Sequence, residues 1–165
     1  MTYKPIASTT LSSAAATVTF SGIPSTYTDL VIRMSTRVDY ATNDGNILIR
    51  FNGDTASNYS YTFVYGNGSS TVSSRGSTTR IIGASATQGT SSTSSTFATA
   101  ELYIPNYLVS QNKPLSIDSA TENNATEAFR TANAGLWRNT AAITSINLEG
   151  GNFVSGSTFD LYGIE

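Results

Sequence analysis

The feature that most constrains this chain is a period-two alternation of apolar and polar residues, carried through short runs and never sustained in a long one. Near the C-terminus Ile146 and Leu148 alternate with Ser145 and Asn147, and Phe159 and Leu161 alternate with Thr158, Asp160 and Tyr162. Successive side chains of a strand point to opposite faces, so this spacing predicts strands with one buried face. The same pattern sets Leu30, Ile32 and Met34 against Val31, Arg33 and Ser35. It recurs at Ile47, Ile49 and Phe51, and at Ala98, Ala100, Leu102 and Ile104. Shorter runs carry Val18 with Phe20 and Leu115 with Ile117, and residues 128–137 read as a long strand with small Ala132 and Ala134. Gly, Asn, Pro and Ser separate the runs, which is turn chemistry.

About ten short strands without a long helix predict an all-β fold, an antiparallel β-sandwich of jelly-roll-like form. Leu30, Ile32, Ile49, Phe51, Leu102, Ile146, Leu148, Phe159 and Leu161 are the expected core. Residues 13–165 are expected to form a single sandwich domain, and residues 1–12 an N-terminal arm or edge strand. Residues 143–164 are predicted to be a closing hairpin with Gly150, Gly151 and Gly156 in its loop, its last strand lying within the sheet. Residues 43–45 read as a turn, 69–79 as a polar segment, and 122–127 as a loop. The low-complexity stretch ASATQGTSSTSS, residues 84–95, is expected to be an exposed, mobile loop.

Composition limits the chemistry. The chain has no cysteine and no histidine, which removes disulfides, thiolate sites, the commonest zinc ligand and the Ser-His-Asp triad. Charged residues make up 12% of the chain with a net charge of −2, and Lys and Arg form no cluster, which argues against nucleic acid as a partner. No apolar run reaches the ~20 residues of a membrane-spanning helix, and residues 1–5 lack the pattern of a secretory signal. Ser and Thr supply roughly 30% of residues, so the polar strand faces are hydroxylated rather than charged. Hydroxyls cost less to desolvate than charges, and such faces suit packing against neighbours.

Three constellations bear on function. The run at residues 52–58 (NGDTASN) offers oxygen donors like a calcium loop, but it lacks dense carboxylates and reads first as a tight turn. Glu101, Glu122, Glu127, Glu149, Asp118 and Asp160 are scattered, so none is indicated as half of a glycosidase pair. No catalytic residue, cofactor or metal ligand is assigned, and the chain is expected not to be an enzyme. Tyr59, Tyr61, Phe63 and Tyr65 share one strand face against Ser60, Thr62 and Val64. That face reads as core, subunit contact or glycan platform. The residues expected at an interface are Tyr3, Pro5, Ile6, Leu11, Tyr59, Tyr61 and Tyr65. Trp137 is read as a core or sheet-rim anchor, and the sequons at Asn58, Asn67 and Asn124 as chance matches.

Several short segments also carry a resemblance. These are AITSINL, GNF and GSTFDLYGI near the C-terminus, DLVI at residues 29–32, RFNGD at 50–54 with NYS at 58–60, and GLWRNT at 135–140. Together they resemble small β-sandwich virion proteins of tailed bacteriophages over residues 28–164. The resemblance implies a non-enzymatic structural or decoration protein on the surface of a phage particle, made in the host cytoplasm. It implies a homo-oligomer, a trimer first, docked on other virion proteins such as the major capsid protein. The alternative is a tail-fibre or receptor-binding domain recognising a host surface glycan.

Overall fold

A computed structural model describes residues 2–124 and 127–165. Among these residues it contains strands and no helix. The first six strands are β1 (Tyr3–Thr10), β2 (Ala15–Ser21), β3 (Asp29–Thr36), β4 (Asp44–Phe51), β5 (Tyr59–Gly66) and β6 (Thr71–Thr78). The other six are β7 (Ile81–Gln88), β8 (Ala98–Ile104), β9 (Lys113–Ala120), β10 (Arg130–Trp137), β11 (Ser145–Phe153) and β12 (Thr158–Ile164). All ladders between them are antiparallel.

Two sheets face each other, one of eight strands in the order β1-β12-β3-β8-β9-β10-β5-β6 and one of four in the order β2-β11-β4-β7. The pairing is nested. β1 pairs with β12, β2 with β11, β3 with β8 and β4 with β7, and the pairs alternate between the two sheets. A chain folded back on itself in this way is a jelly roll. Two inserted pairs, β5 with β6 and β9 with β10, extend the larger sheet beyond β8. The four-stranded sheet has no matching extension, and this mismatch creates the site described below.

The core lies between the sheets. All nine residues expected there are buried, none more than 1% exposed. Trp137, Phe51 and Tyr59 form an aromatic cluster at one end, with Tyr59 stacked on Trp137 at 6.2 Å. The 52–58 run begins with the expected tight turn: Asn52 and Gly53 both adopt positive φ (53° and 66°) as its central residues, and the Asp54 amide donates to the Phe51 carbonyl at 2.9 Å. Asn52 Oδ1 accepts from the amides of Thr144 and Ser145, tying the turn to the start of β11.

Four expectations need correction. Residues 143–164 are not a hairpin, because β11 belongs to the four-stranded sheet and β12 to the eight-stranded one. The segment between them crosses the sandwich instead of reversing within a sheet. β12 does lie inside its sheet, between β1 and β3. Residues 84–95 are an exposed loop only in their second half: 89–95 form a loop in which residues 90, 91 and 93–95 are exposed, whereas 84–88 belong to a strand. Ile81–Gln88 is β7, buried at nearly every position, and its small side chains let it sit close over the larger sheet. Beyond β7, Arg37 donates to the carbonyls of Thr90, Ser92, Thr93 and Thr96 and holds the segment in place. The polar segment 69–79 contains β6, whose partner supplies the apolar residues that β6 lacks. Residues 44 and 45 begin β4 rather than a turn. The strands therefore number twelve among the described residues. Of the 122–127 loop, residues 125 and 126 lie outside the described residues, as does most of the sequon that starts at Asn124.

Candidate functional site

β5 runs outward from beneath the four-stranded sheet. At its start Tyr59 is fully buried, and its hydroxyl lies 3.3 Å from the carbonyl of Phe51 and 3.1 Å from that of Asp54. Burial pushes the Tyr59 phenol above its ordinary value. Alternation places Tyr61, Phe63 and Tyr65 on the same inner face, but there the small sheet has ended and all three are half-buried. Their rings form a ladder: Tyr61 and Phe63 are parallel to within 4° at 6.3 Å, and Phe63 and Tyr65 to within 14° at 6.0 Å. Phe129, just before β10, closes the row edge to face on Tyr65 at 5.4 Å.

β6 supplies the floor beside this ladder. Opposite Tyr61 stands Gly76, opposite Phe63 stands Ser74, and opposite Tyr65 stands Val72. The Tyr61 ring leans across Gly76, since a Cβ there would sit 2.6 Å from the Tyr61 hydroxyl. Val72 is 38% exposed, so the apolar surface continues to the sheet edge. The inner face of the overhang is thus aromatic with a hydroxyl-bearing rim.

The outer face of the same sheet is polar and internally paired. Asp160, Arg33, Glu101 and Asp118 stand side by side across β12, β3, β8 and β9. Arg33 bonds Glu101 at 2.9 Å, which raises the guanidinium's proton affinity, and Arg130 bridges Asp118. Tyr3 and Tyr162 flank the Arg33 guanidinium, with ring centroids 5.0 and 5.7 Å from it. A shallow hollow of about 530 Å³ lies over β10, β5 and β6, lined by Ser60, Thr62, Arg75, Ser77, Ala134 and Leu136 among others.

The carboxylates singled out in the sequence are all engaged. Glu149 bridges Arg50 and Arg80, Asp160 accepts from Ser8, and Glu127 accepts from Asn43. Glu122 accepts the amides of Asn123 and Asn124. Glu101 and Asp118 are direct neighbours, but each is held by its own arginine on an open face. Asp54 in the turn is also committed. It accepts from Asn58 Nδ2 at 2.8 Å, from the Ala56 amide at 2.9 Å and from Trp137 Nε1 at 2.8 Å. These donors, Asn58 first, hold its carboxyl at about 2. Among the described residues no group of three or more acidic, His or Cys side chains is placed to hold a metal.

Of the residues expected at an interface, Tyr61 and Tyr65 share the overhang's inner face. Tyr59 does not join them, because the sandwich closes over it. Tyr3 lies far across the sheet on the outer face, 43% exposed, and Pro5 sits beside Tyr162 at a bulge. Ile6 and Leu11 turn inward and pack partly buried against the core. The arm is β1, paired with β12 of its own domain from Tyr3 to Thr10. Phe129, Gly76 and Val72 were missing from the expected site. Phe63 shared the tyrosine face in the alternation, whereas Phe129 joins only because β10 lies beside β5. Lys113 was also missed. It is fully buried, with Nζ donating to the carbonyls of Val109 and Gln111 at 2.7 and 2.6 Å, and burial lowers its proton affinity.

No protein-family model matches this chain, and no curated protein matches it. The fold defines an antiparallel β-sandwich protein of jelly-roll topology.

Proposed function

We propose that this chain is a non-enzymatic structural protein of a bacteriophage particle, a decoration component of the head surface that binds copies of itself and a neighbouring capsid protein. The observation that carries this reading is the aromatic inner face of the β5–β6 overhang, which the protein's own small sheet leaves only half-buried. Aromatic side chains bury large area at low entropy cost and are enriched at protein interfaces. The carboxylates support the same reading, since those named above are held by arginines, hydroxyls or amides rather than set as an acid–base pair around a cleft. The resemblance to phage virion proteins supplies the setting.

A tail-fibre or receptor-binding domain is the second reading. It is favoured by the hydroxyl of Ser74, which stands opposite Phe63 in the ladder as a neutral sugar would need.

Gold-labelled antibody against this protein on intact particles tests the two. Label over the head, together with binding of purified protein to stripped capsids that is lost in Phe63→Ser, is the expected result. Label on the tail, with glycan-array binding lost in the same variant, overturns the first reading in favour of the second. Turnover of a glycan or peptide substrate that one carboxylate substitution abolishes overturns both.

A further inference from the structure

We propose that the free edge of β6 docks a second copy of this chain strand to strand, joining the two eight-stranded sheets across a twofold axis. The inference deepens the self-association in the proposed function and rests on that part of it.

The large sheet treats its two edges differently. At β1, Pro5 lacks an amide donor, Lys4 adds a charge, and the ladder to β12 slips between Pro5 and Ala7. Proline, charge and bulges are the devices that blunt a strand edge. β6 has no proline and no bulge, and its ladder with β5 runs unbroken from Tyr59–Thr78 to Gly66–Thr71. Its first five residues are exposed and its only charge is Arg75. The small sheet competes poorly. β7 is buried, and β2 keeps a regular ladder with β11 only over residues 17–21. β6 is therefore the long, flat, open edge of this molecule.

The register follows from its side chains. A twofold axis normal to the sheet keeps inner and outer faces aligned, so residues opposite each other share a face. Ser73, Arg75 and Ser77 are outer, and Val72, Ser74, Gly76 and Thr78 inner. An axis at Arg75 sets two guanidiniums against each other. An axis at Ser73 pairs only residues 71–75. An axis at Ser74 pairs residues 71–77, sets Arg75 against Ser73, and brings Val72 of the second copy against Gly76, where the Tyr61 ring lies. This register covers an exposed valine with an aromatic ring and keeps the charges apart. Such a pairing is isologous and stops at two, so a trimer would need another surface.

The chain has no cysteine, so Ser74→Cys introduces a unique thiol at the axis. Sedimentation equilibrium across the micromolar range is expected to show a dimer. Mild oxidation is expected to cross-link Ser74→Cys as a dimer and to leave Ser73→Cys largely uncross-linked. Ser73→Lys, facing Arg75 of the second copy, should weaken association at least tenfold, and Ser73→Asp should strengthen it. Both substitutions sit at an exposed position, and circular dichroism checks each fold. A wild-type monomer throughout the range overturns the proposal. So does an oligomer indifferent to charge at position 73 in which the thiol of Ser74→Cys fails to cross-link. Dimers that fail to bind particles sink the capsid-binding part of the proposed function and leave this inference standing, whereas monomers that bind particles sink this inference together with the self-association and leave the capsid binding standing.

Discussion

The rings of Phe153 and Phe159 meet edge to face at 5.0 Å, although the strands that carry them belong to different sheets. Both are fully buried, and the short segment between β11 and β12 carries the chain from one layer to the other. This contact seals the point where the last strand enters the sheet. Phe159→Ala should destabilise the domain by about 3–5 kcal/mol, because it removes a large ring from a site with no room to collapse. Urea unfolding measures it, and a loss below about 1 kcal/mol would mean the crossing is not packed as described.

Arg37 should control the segment after β7. Its guanidinium reaches four carbonyls within residues 90–96, and the residue as a whole is only 9% exposed. In Arg37→Met those carbonyls lose their donor while the aliphatic stem is largely kept. Amide hydrogen exchange across residues 89–97 is expected to accelerate at least tenfold, with the strands of the large sheet little changed. Unaltered exchange would show that β-turn bonds alone hold the segment.

Asp54 sets an acid limit on stability. Its folded carboxyl, at about 2, lies below the ordinary 3.8. A depressed carboxyl contributes stability that is present above 3.8 and is lost as pH falls through the folded value near 2. The melting temperature should therefore fall between pH 4 and pH 2, and Asp54→Asn should flatten that part of the profile. An identical pH profile in the variant would assign the acid transition to other carboxyls.

Two glycines on either side of Tyr61 should respond differently to alanine. A Cβ at Gly135 meets Leu115 at 2.8 Å and Ile81 at 2.9 Å, both inside the core. Gly135→Ala is expected to cost about 1–3 kcal/mol through overpacking. At Gly76 the Cβ meets the far end of Tyr61, which can swing toward solvent. Gly76→Ala should cost less than about 1 kcal/mol but change the near-ultraviolet circular dichroism of the ring ladder. Equal losses in the two variants would place Tyr61 in the core rather than on the overhang.

The alternation of residues by itself determined the fold class and the core, because period two assigns each side chain to a face whatever strand lies alongside. Leu30, Ile32, Phe51, Leu148 and Leu161 were legible for that reason. So was the shared face of Tyr59, Tyr61, Phe63 and Tyr65. Which sheet a strand joins is a matter of long-range pairing, and turn residues alone do not settle it. Residues 145–153 and 158–164 read as a hairpin, yet each finds its partners in the first third of the chain, in β2 and β4 or in β1 and β3. β6 and the part of β7 beyond Ile82 were hidden because stretches dominated by Ser, Thr, Gly and Ala carry little apolar signal of their own. Such a stretch becomes a strand by pairing with β5 or by lying under a sheet. The exposure of the aromatic ladder was decided by tertiary structure alone. Tyr59 and Tyr61 occupy the same face two residues apart, and only the width of the opposite sheet buries one and leaves the other open.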